Sequence, residues 1–129
     1  EGAACYTMTN FAEMAKLSPG LVAADIDIGP SILLATPHSV LSAPYHRMQR
    51  GILDAYHMLN RPVEEGLAMM TARGVEYVAV CTASKTRGRP GGILDRILAG
   101  RVPVGLEEMP GNGVIRVFRV HGGPVLTSR

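Results

Sequence analysis

The chain has 129 residues, of which 47% are apolar and 19% charged, and its formal net charge is +2. This composition argues against a disordered chain, and the length suits one domain built around one core. Eleven of the thirteen basic residues are arginines, scattered without a run or an accompanying row of aromatic side chains. A nucleic-acid-binding face is therefore not predicted, and no apolar stretch approaches the roughly 18 residues that a membrane-spanning helix needs.

The first part of the chain predicts a helix followed by a strand. Apolar residues recur at helical spacing from Thr9 to Leu17, and Ser18-Pro19-Gly20 ends that helix. From Leu21 to Ile28 apolar and polar residues alternate, which predicts a strand. Asp25 and Asp27 would then share one face of this strand, because successive side chains point to opposite faces.

The middle of the chain predicts two short elements and then two longer helices. They are a helix from Ser31 to Thr36, a strand from Ser39 to Ala43, a helix from Tyr45 or His46 to Leu59, and a helix that begins at Asn60-Arg61-Pro62 and runs to Arg73. Gly74 closes the last of these, because glycine readily adopts the left-handed conformation that follows many helices.

The strongest strand pattern is the nearly continuous apolar run from Val75 to Cys81, which predicts a central strand covered on both faces. Thr82 to Gly92 is predicted to be a polar loop. Its part from Ser84 to Gly92 resembles a phosphate cradle in composition but lacks the order of one, which favours a mobile surface loop. A short helix from Ile93 to Ala99 follows. The strands Val104 to Met109 and Val114 to Val120 then flank an Asn-Gly turn, which predicts a β-hairpin.

No internal repeat or linker divides this order of elements. The sequence therefore predicts a single layered α/β domain over residues 1–129. Its mixed sheet would have about five strands, be flanked by helices and end in a C-terminal β-hairpin.

Polar residues cluster around the second predicted strand and the start of the helix after it. His38 precedes the strand, and Tyr45, His46 and Arg47 follow it. Ligands often bind at strand ends in open α/β sheets, and the free N–H groups at a helix start suit a phosphate or a carboxylate. These four residues are candidate ligand contacts. The alternative is that Tyr45 and His46 cap the helix and tie the loop to the core.

Asp25 and Asp27 form a second candidate site, because paired carboxylates can serve acid–base chemistry or hold a metal ion. No third acidic residue lies nearby in the sequence, so the pair also fits a solvated face or a helix cap. No serine lies in a G-x-S-x-G elbow, and the four histidines lack metal-binding spacing. We therefore expect no catalytic residue, metal or cofactor in this chain.

The two cysteines, Cys5 and Cys81, lie too far apart for a CxxC redox or zinc motif. In a cytosolic protein they would be two buried thiols, and in an exported domain they could form one disulfide. Their spacing leaves both possibilities open.

Three segments taken together follow a recognisable pattern: SPGLVAA at 18–24, ATPHSVLSAPYHR at 35–47 and GVEYVAVC at 74–81. The pattern resembles the C-terminal extracytoplasmic domain of large bacterial multi-span membrane proteins. Those proteins are similar in layout to lipid-carrier-dependent glycosyltransferases, including the catalytic subunit of oligosaccharyltransferase. The resemblance implies a domain on the periplasmic side of the inner membrane with a Cys5–Cys81 disulfide. It also implies that catalysis belongs to acidic residues in loops of the membrane portion.

The resulting hypothesis is a non-catalytic accessory domain, cut from a larger protein, of a membrane glycosyltransferase-like polypeptide. Its partners would be the membrane-embedded portion of that polypeptide and a glycan acceptor or phosphorylated lipid carrier, contacted by Tyr45, His46 and Arg47 with His38. The chain has no tryptophan, so the Trp-Trp-Asp signature of oligosaccharyltransferases is absent and peptide recognition is not implied. Two alternatives remain open: a free-standing enzyme that uses Asp25, Asp27 and His46, and a protein-interaction module.

Overall fold

The computed structural model describes residues 2–25, 27–41 and 49–121. Its strands are Leu21–Ala24 (β1), Ser39–Val40 (β2), Val75–Cys81 (β3), Leu106–Glu108 (β4) and Ile115–Val120 (β5). Its α-helices are Ala12–Ala15 (α1), Gly29–Ala35 (α2), Gln49–Asn60 (α3), Val63–Arg73 (α4) and Ile93–Leu98 (α5). Two 3₁₀ turns, Gly2–Tyr6 and Met8–Phe11, precede α1.

The strands form one mixed sheet in the order β2-β1-β3-β5-β4. β1 pairs in parallel with both β2 and β3, whereas β5 runs antiparallel to β3 and to β4. The predicted fold class, a five-stranded mixed sheet flanked by helices with a C-terminal hairpin, is confirmed. The central position of β3 agrees with its nearly continuous apolar sequence. Six of its seven residues are buried.

The sheet separates two apolar clusters. On one face the N-terminal turns, α1 and α2 cover a cluster that includes Phe11, Ile32 and Tyr77. On the other face α3, α4 and α5 cover a cluster that includes Met58 and Phe118. The strands contribute to both clusters because their side chains alternate between the faces.

The first strand is shorter than predicted. β1 ends at Ala24, so Asp25 and Asp27 lie in the turn that follows it and not on a strand face. The Ile28 N–H donates to the Asp25 carbonyl at 3.1 Å, which reverses the chain, and Pro30 then occupies the first turn of α2. Proline fixes φ at a helical value and lacks an N–H, so it favours a helix start over strand continuation.

Other predicted boundaries shift by a few residues. The expected helix from Thr9 to Leu17 is a 3₁₀ turn joined to the short α1. Asn60 is the last residue of α3, and α4 begins at Val63, so the prediction that the second of these helices begins at Asn60 is wrong. Gly74 does close α4 in the left-handed conformation, with φ of 74°. The other elements beyond Gly74 are confirmed to within two residues.

None of the helices in the described part of the chain combines the length and the apolar character needed to cross a membrane.

Candidate binding crevice at the carboxyl ends of the parallel strands

The chain leaves β1 and β3 on opposite faces of the sheet. After β1 it enters α2, which packs in one apolar cluster, and after β3 it reaches α5, which packs in the other. Adjacent parallel strands whose connections diverge in this way leave a crevice between their carboxyl ends, where ligands of open α/β proteins usually bind. The topology therefore points to the ends of β1 and β3.

A cavity of about 390 Å³ lies at this point. Its apolar floor includes Ala79, Val80 and Leu94, and its polar lining is Asp25, Asp27, Ser84, Lys85 and Thr86. Asp27 and Lys85 are exposed, so the mouth of the cavity is open to water. The mixture of an apolar floor and a few polar side chains is typical of a small-molecule site.

A second cavity of about 310 Å³ adjoins the first and shares Asp25, Leu59, Thr86 and Leu94 with it. Its other lining includes Tyr56 from α3 and Arg89 from the loop after β3. The two cavities together are called the crevice below. Asp25 borders both of them and is half-buried, so it is the carboxylate with access to the whole crevice.

The Asp25–Asp27 turn brings both carboxylates to the crevice. The Asp27 N–H lies 3.5 Å from Asp25 Oδ1, at the limit of a hydrogen bond. The sequence identified both residues as candidates, but on a strand face. In fact the turn before α2 places them beside β3, because β1 and β3 end at the same edge of the sheet.

The loop from Thr82 to Gly92 lines the crevice, a role that the sequence did not predict. The Arg89 N–H donates to Asn60 Oδ1 at 2.8 Å, and the Gly91 N–H donates to Asp95 Oδ2 at 3.0 Å. These bonds fasten the loop to α3 and α5, and the mobility expected of the loop stays a prediction. Lys85, Thr86 and Arg89 thereby become site residues. The sequence signal for them was their position after the most strongly predicted strand.

The disulfide between Cys5 and Cys81 forms one wall of the crevice. Cys81 is the last residue of β3, and the bond holds the first 3₁₀ turn against the end of the sheet, with a Cα–Cα distance of 5.7 Å. Tyr6, which follows Cys5, is half-exposed at the crevice. The structure therefore contains the disulfide that the resemblance implied. Such a bond fits an oxidising compartment.

His38 lies at the opposite, amino-terminal ends of the parallel strands, just before β2, and is 3% exposed. The Gly20 N–H donates to its Nδ1 at 3.1 Å, and its Nε2 lies 2.8 Å from the Met14 carbonyl, to which it donates. The ring also packs edge-on against Tyr77, with 5.1 Å between the ring centroids. Because both ring nitrogens are bonded to the backbone, His38 fits a structural role better than the predicted ligand contact.

The other three predicted contacts, Tyr45, His46 and Arg47, lie outside the described residues. Among the residues that the structure does describe, no group of three His, Cys, Asp or Glu side chains is arranged to hold a metal ion.

Comparison with known proteins supports the fold through the solved structures. No protein-family model and no curated protein matches the sequence. Among solved structures, the chain is similar to the C-terminal globular domain of an oligosaccharyltransferase from Archaeoglobus fulgidus, with a TM-score of 0.61 and 15% identity. The similarity covers 92% of this chain and 94% of that one. At this identity it establishes a shared fold, the five-stranded mixed sheet with flanking helices.

Proposed function

We propose that the chain is a non-catalytic accessory domain on the periplasmic side of a membrane glycosyltransferase-like protein. In this role it positions a glycan acceptor or the head group of a lipid carrier for a catalytic centre in the membrane-embedded portion of the same polypeptide.

The observation that carries this proposal is the extent of the shared fold. The similarity spans nearly all of both chains, so it concerns a whole globular unit and not one common motif. The neighbour is described as a C-terminal globular domain of an oligosaccharyltransferase, and this description supports an attached domain of a sugar-transferring protein.

The disulfide supports the proposed location of the domain in the periplasm. Cys5 and Cys81 are 76 residues apart in sequence, and both are buried. Structural disulfides form and persist in oxidising compartments, of which the periplasm is one.

The open crevice supports an accessory role over catalysis within the chain. Asp27 and Lys85 stand exposed at its mouth, so water reaches the groups that would have to act as acid or base. Enzymes that transfer groups generally exclude water from the reacting atoms. The crevice is therefore better suited to holding a group than to reacting with it.

The membrane attachment is tested on the native polypeptide. An antibody against this chain should detect, in the source cells, a band larger than the chain's own 13.7 kDa. That band should stay in carbonate-washed membranes and be digested when protease is added to spheroplasts. A soluble band of the chain's own mass would contradict the proposal.

The non-catalytic role is tested on the purified chain. Incubated with a lipid-linked oligosaccharide and an acceptor peptide, it should produce neither a glycosylated peptide nor a released glycan, as measured by mass spectrometry. Turnover that is lost in Asp25→Asn and Asp27→Asn variants would instead support the free-standing enzyme.

A further inference from the structure

We propose that the crevice binds a neutral saccharide unit through its hydroxyl groups, and not the phosphate groups of a lipid carrier. This inference rests on the proposed function for the source of the glycan, and it names which part of the glycan conjugate the domain holds.

The size and the floor of the crevice suit one or two sugar rings. Each of its two cavities, about 390 and 310 Å³, falls in the range of roughly 300–1,000 Å³ found for small-molecule sites. The shared floor of Leu59 and Leu94 is apolar and can cover the C–H face of a sugar ring. Burial of that face is favourable, whereas a hydrated phosphate gains nothing from it.

The polar lining offers both partners that a hydroxyl group needs. A hydroxyl donates one hydrogen bond and accepts others, so a buried one requires acceptors and donors together. Asp25 and Asp27 supply carboxylate acceptors, and Lys85 supplies a cationic donor. Thr86, which borders both cavities, can do either.

Two half-exposed tyrosines stand at the crevice. Tyr6 borders the first cavity with 51% of its surface exposed, and Tyr56 borders the second with 48% exposed. An aromatic ring offers a flat apolar surface and a polar hydroxyl at its edge. That combination matches the alternating C–H and O–H groups of a sugar. The exposure of the two rings leaves them accessible to a ligand.

The charges of the lining disfavour an anion. In the first cavity two carboxylates face one lysine, and in the second Asp25 offsets Arg89, so neither cavity presents an excess of positive charge. A pyrophosphate group would have to approach both carboxylates, and like charges at short range repel. A neutral saccharide meets no such cost.

The test is a set of NMR titrations of the ¹⁵N-labelled chain. The probes are glucose, mannose, galactose, N-acetylglucosamine and its β1,4-linked dimer, each raised to tens of millimolar, with inorganic pyrophosphate as the comparison. At least one saccharide should shift the amide signals of Asp25, Thr86 and Leu94 in a saturable way. Pyrophosphate should leave those signals in place.

Variants then assign the binding to the crevice. Asp25→Asn keeps the shape of the side chain and the oxygen that faces the Asp27 N–H, but it removes the charge. Loss of one charge-assisted hydrogen bond should weaken saccharide binding by roughly tenfold. Tyr56→Ala should weaken it as well. Glu107→Gln, an exposed carboxylate on β4 at the far edge of the sheet, is the matched control and should bind as the original chain does.

Three results would overturn the inference: no shift with any of the five saccharides, shifts that Asp25→Asn leaves unchanged, or crevice signals that respond to pyrophosphate more than to sugar. Exposed Asp27→Asn serves as a second variant if Asp25→Asn disturbs the fold. If the crevice binds a saccharide but the native polypeptide is soluble, only the proposed membrane attachment is contradicted. If the native polypeptide is anchored in the membrane but the crevice binds no saccharide, only this inference is contradicted.

Discussion

The amino and carboxyl ends of the parallel strands use polar side chains in opposite ways, and they are called the amino-terminal edge and the carboxyl-terminal edge below. At the amino-terminal edge His38 is buried with both ring nitrogens bonded to the backbone, and the Tyr77 hydroxyl donates to the Ser18 carbonyl at 2.8 Å. At the carboxyl-terminal edge Asp27 and Lys85 are exposed around an open crevice. The polar groups at the first edge stabilise the fold, whereas those at the second are exposed and accessible to the ligand that we propose.

This difference follows from how the chain crosses each edge. At the amino-terminal edge the segments before β1 and β2 run close together, so backbone groups such as the Met14 carbonyl are buried and need partners. At the carboxyl-terminal edge the connections diverge to opposite faces and leave space between them. Variants of the polar side chains at the two edges should therefore separate stability from binding, whereas the disulfide at the carboxyl-terminal edge bears on stability.

The largest effect is expected from the disulfide, which braces the carboxyl-terminal edge. A Cys5→Ala/Cys81→Ala chain should lose about 4 kcal/mol of unfolding free energy, because the cross-link restricts a long loop in the unfolded state. Urea unfolding of the original chain with and without reductant gives the same comparison. If both forms unfold at the same urea concentration, the bond does not brace this edge.

The next largest effect is expected at the amino-terminal edge. His38→Phe keeps an aromatic ring beside Tyr77 but leaves the Gly20 N–H and the Met14 carbonyl without their partner. Each buried unpaired group costs about 1–3 kcal/mol, so the variant should lose roughly 3 kcal/mol of unfolding free energy. Saccharide binding at 25 °C should be unchanged in the folded fraction. A stable variant that fails to bind would give His38 the ligand role instead.

An exposed ion pair away from both edges sets the scale for surface contacts. Arg116 binds Glu108 through two hydrogen bonds, of 2.8 and 2.6 Å, between β5 and β4. The hydrogen bond from Arg116 lowers the pKa of Glu108 from the ordinary 4.5, an effect that slight burial opposes. A carboxyl group whose pKa is lowered in the folded state stabilises the fold at any pH above its ordinary pKa. That stability is lost as the pH falls through the lowered pKa.

Glu108→Gln should therefore reduce the unfolding free energy at neutral pH by at most about 1 kcal/mol, as is usual for an exposed pair. The difference from the original chain should shrink as the pH falls below the lowered pKa, which urea unfolding across acidic pH would show. A difference that grows in acid would contradict the assigned direction.

The smallest stability effect is expected at the crevice. Asp27→Asn replaces an exposed side chain with one of the same shape, so the unfolding free energy should change by no more than about 0.5 kcal/mol. A loss comparable with that of His38→Phe would show that the two edges do not differ in the way described, and that the crevice carboxylates serve the fold.

How much of this could be predicted depends on the range of the interactions involved. The run from Val75 to Cys81 is apolar enough to predict a buried central strand on its own, and Gly74 marks the end of α4 by local backbone preference. The alternation from Leu21 to Ile28 continued beyond the true end of β1, because periodicity does not register the turn that Pro30 allows. Asp25 and Asp27 were recognised as a pair, but their position was wrong.

The sequence by itself determined the fold class and the approximate positions of the strands, because periodicity and turn residues act over a few neighbouring positions. Only the tertiary structure decided that Cys5 meets Cys81, that His38 bonds to the backbone of two distant segments, and that the loop after β3 faces Asp25. These contacts join residues tens of positions apart, and their geometry depends on the order in which the strands pack, which no local pattern contains.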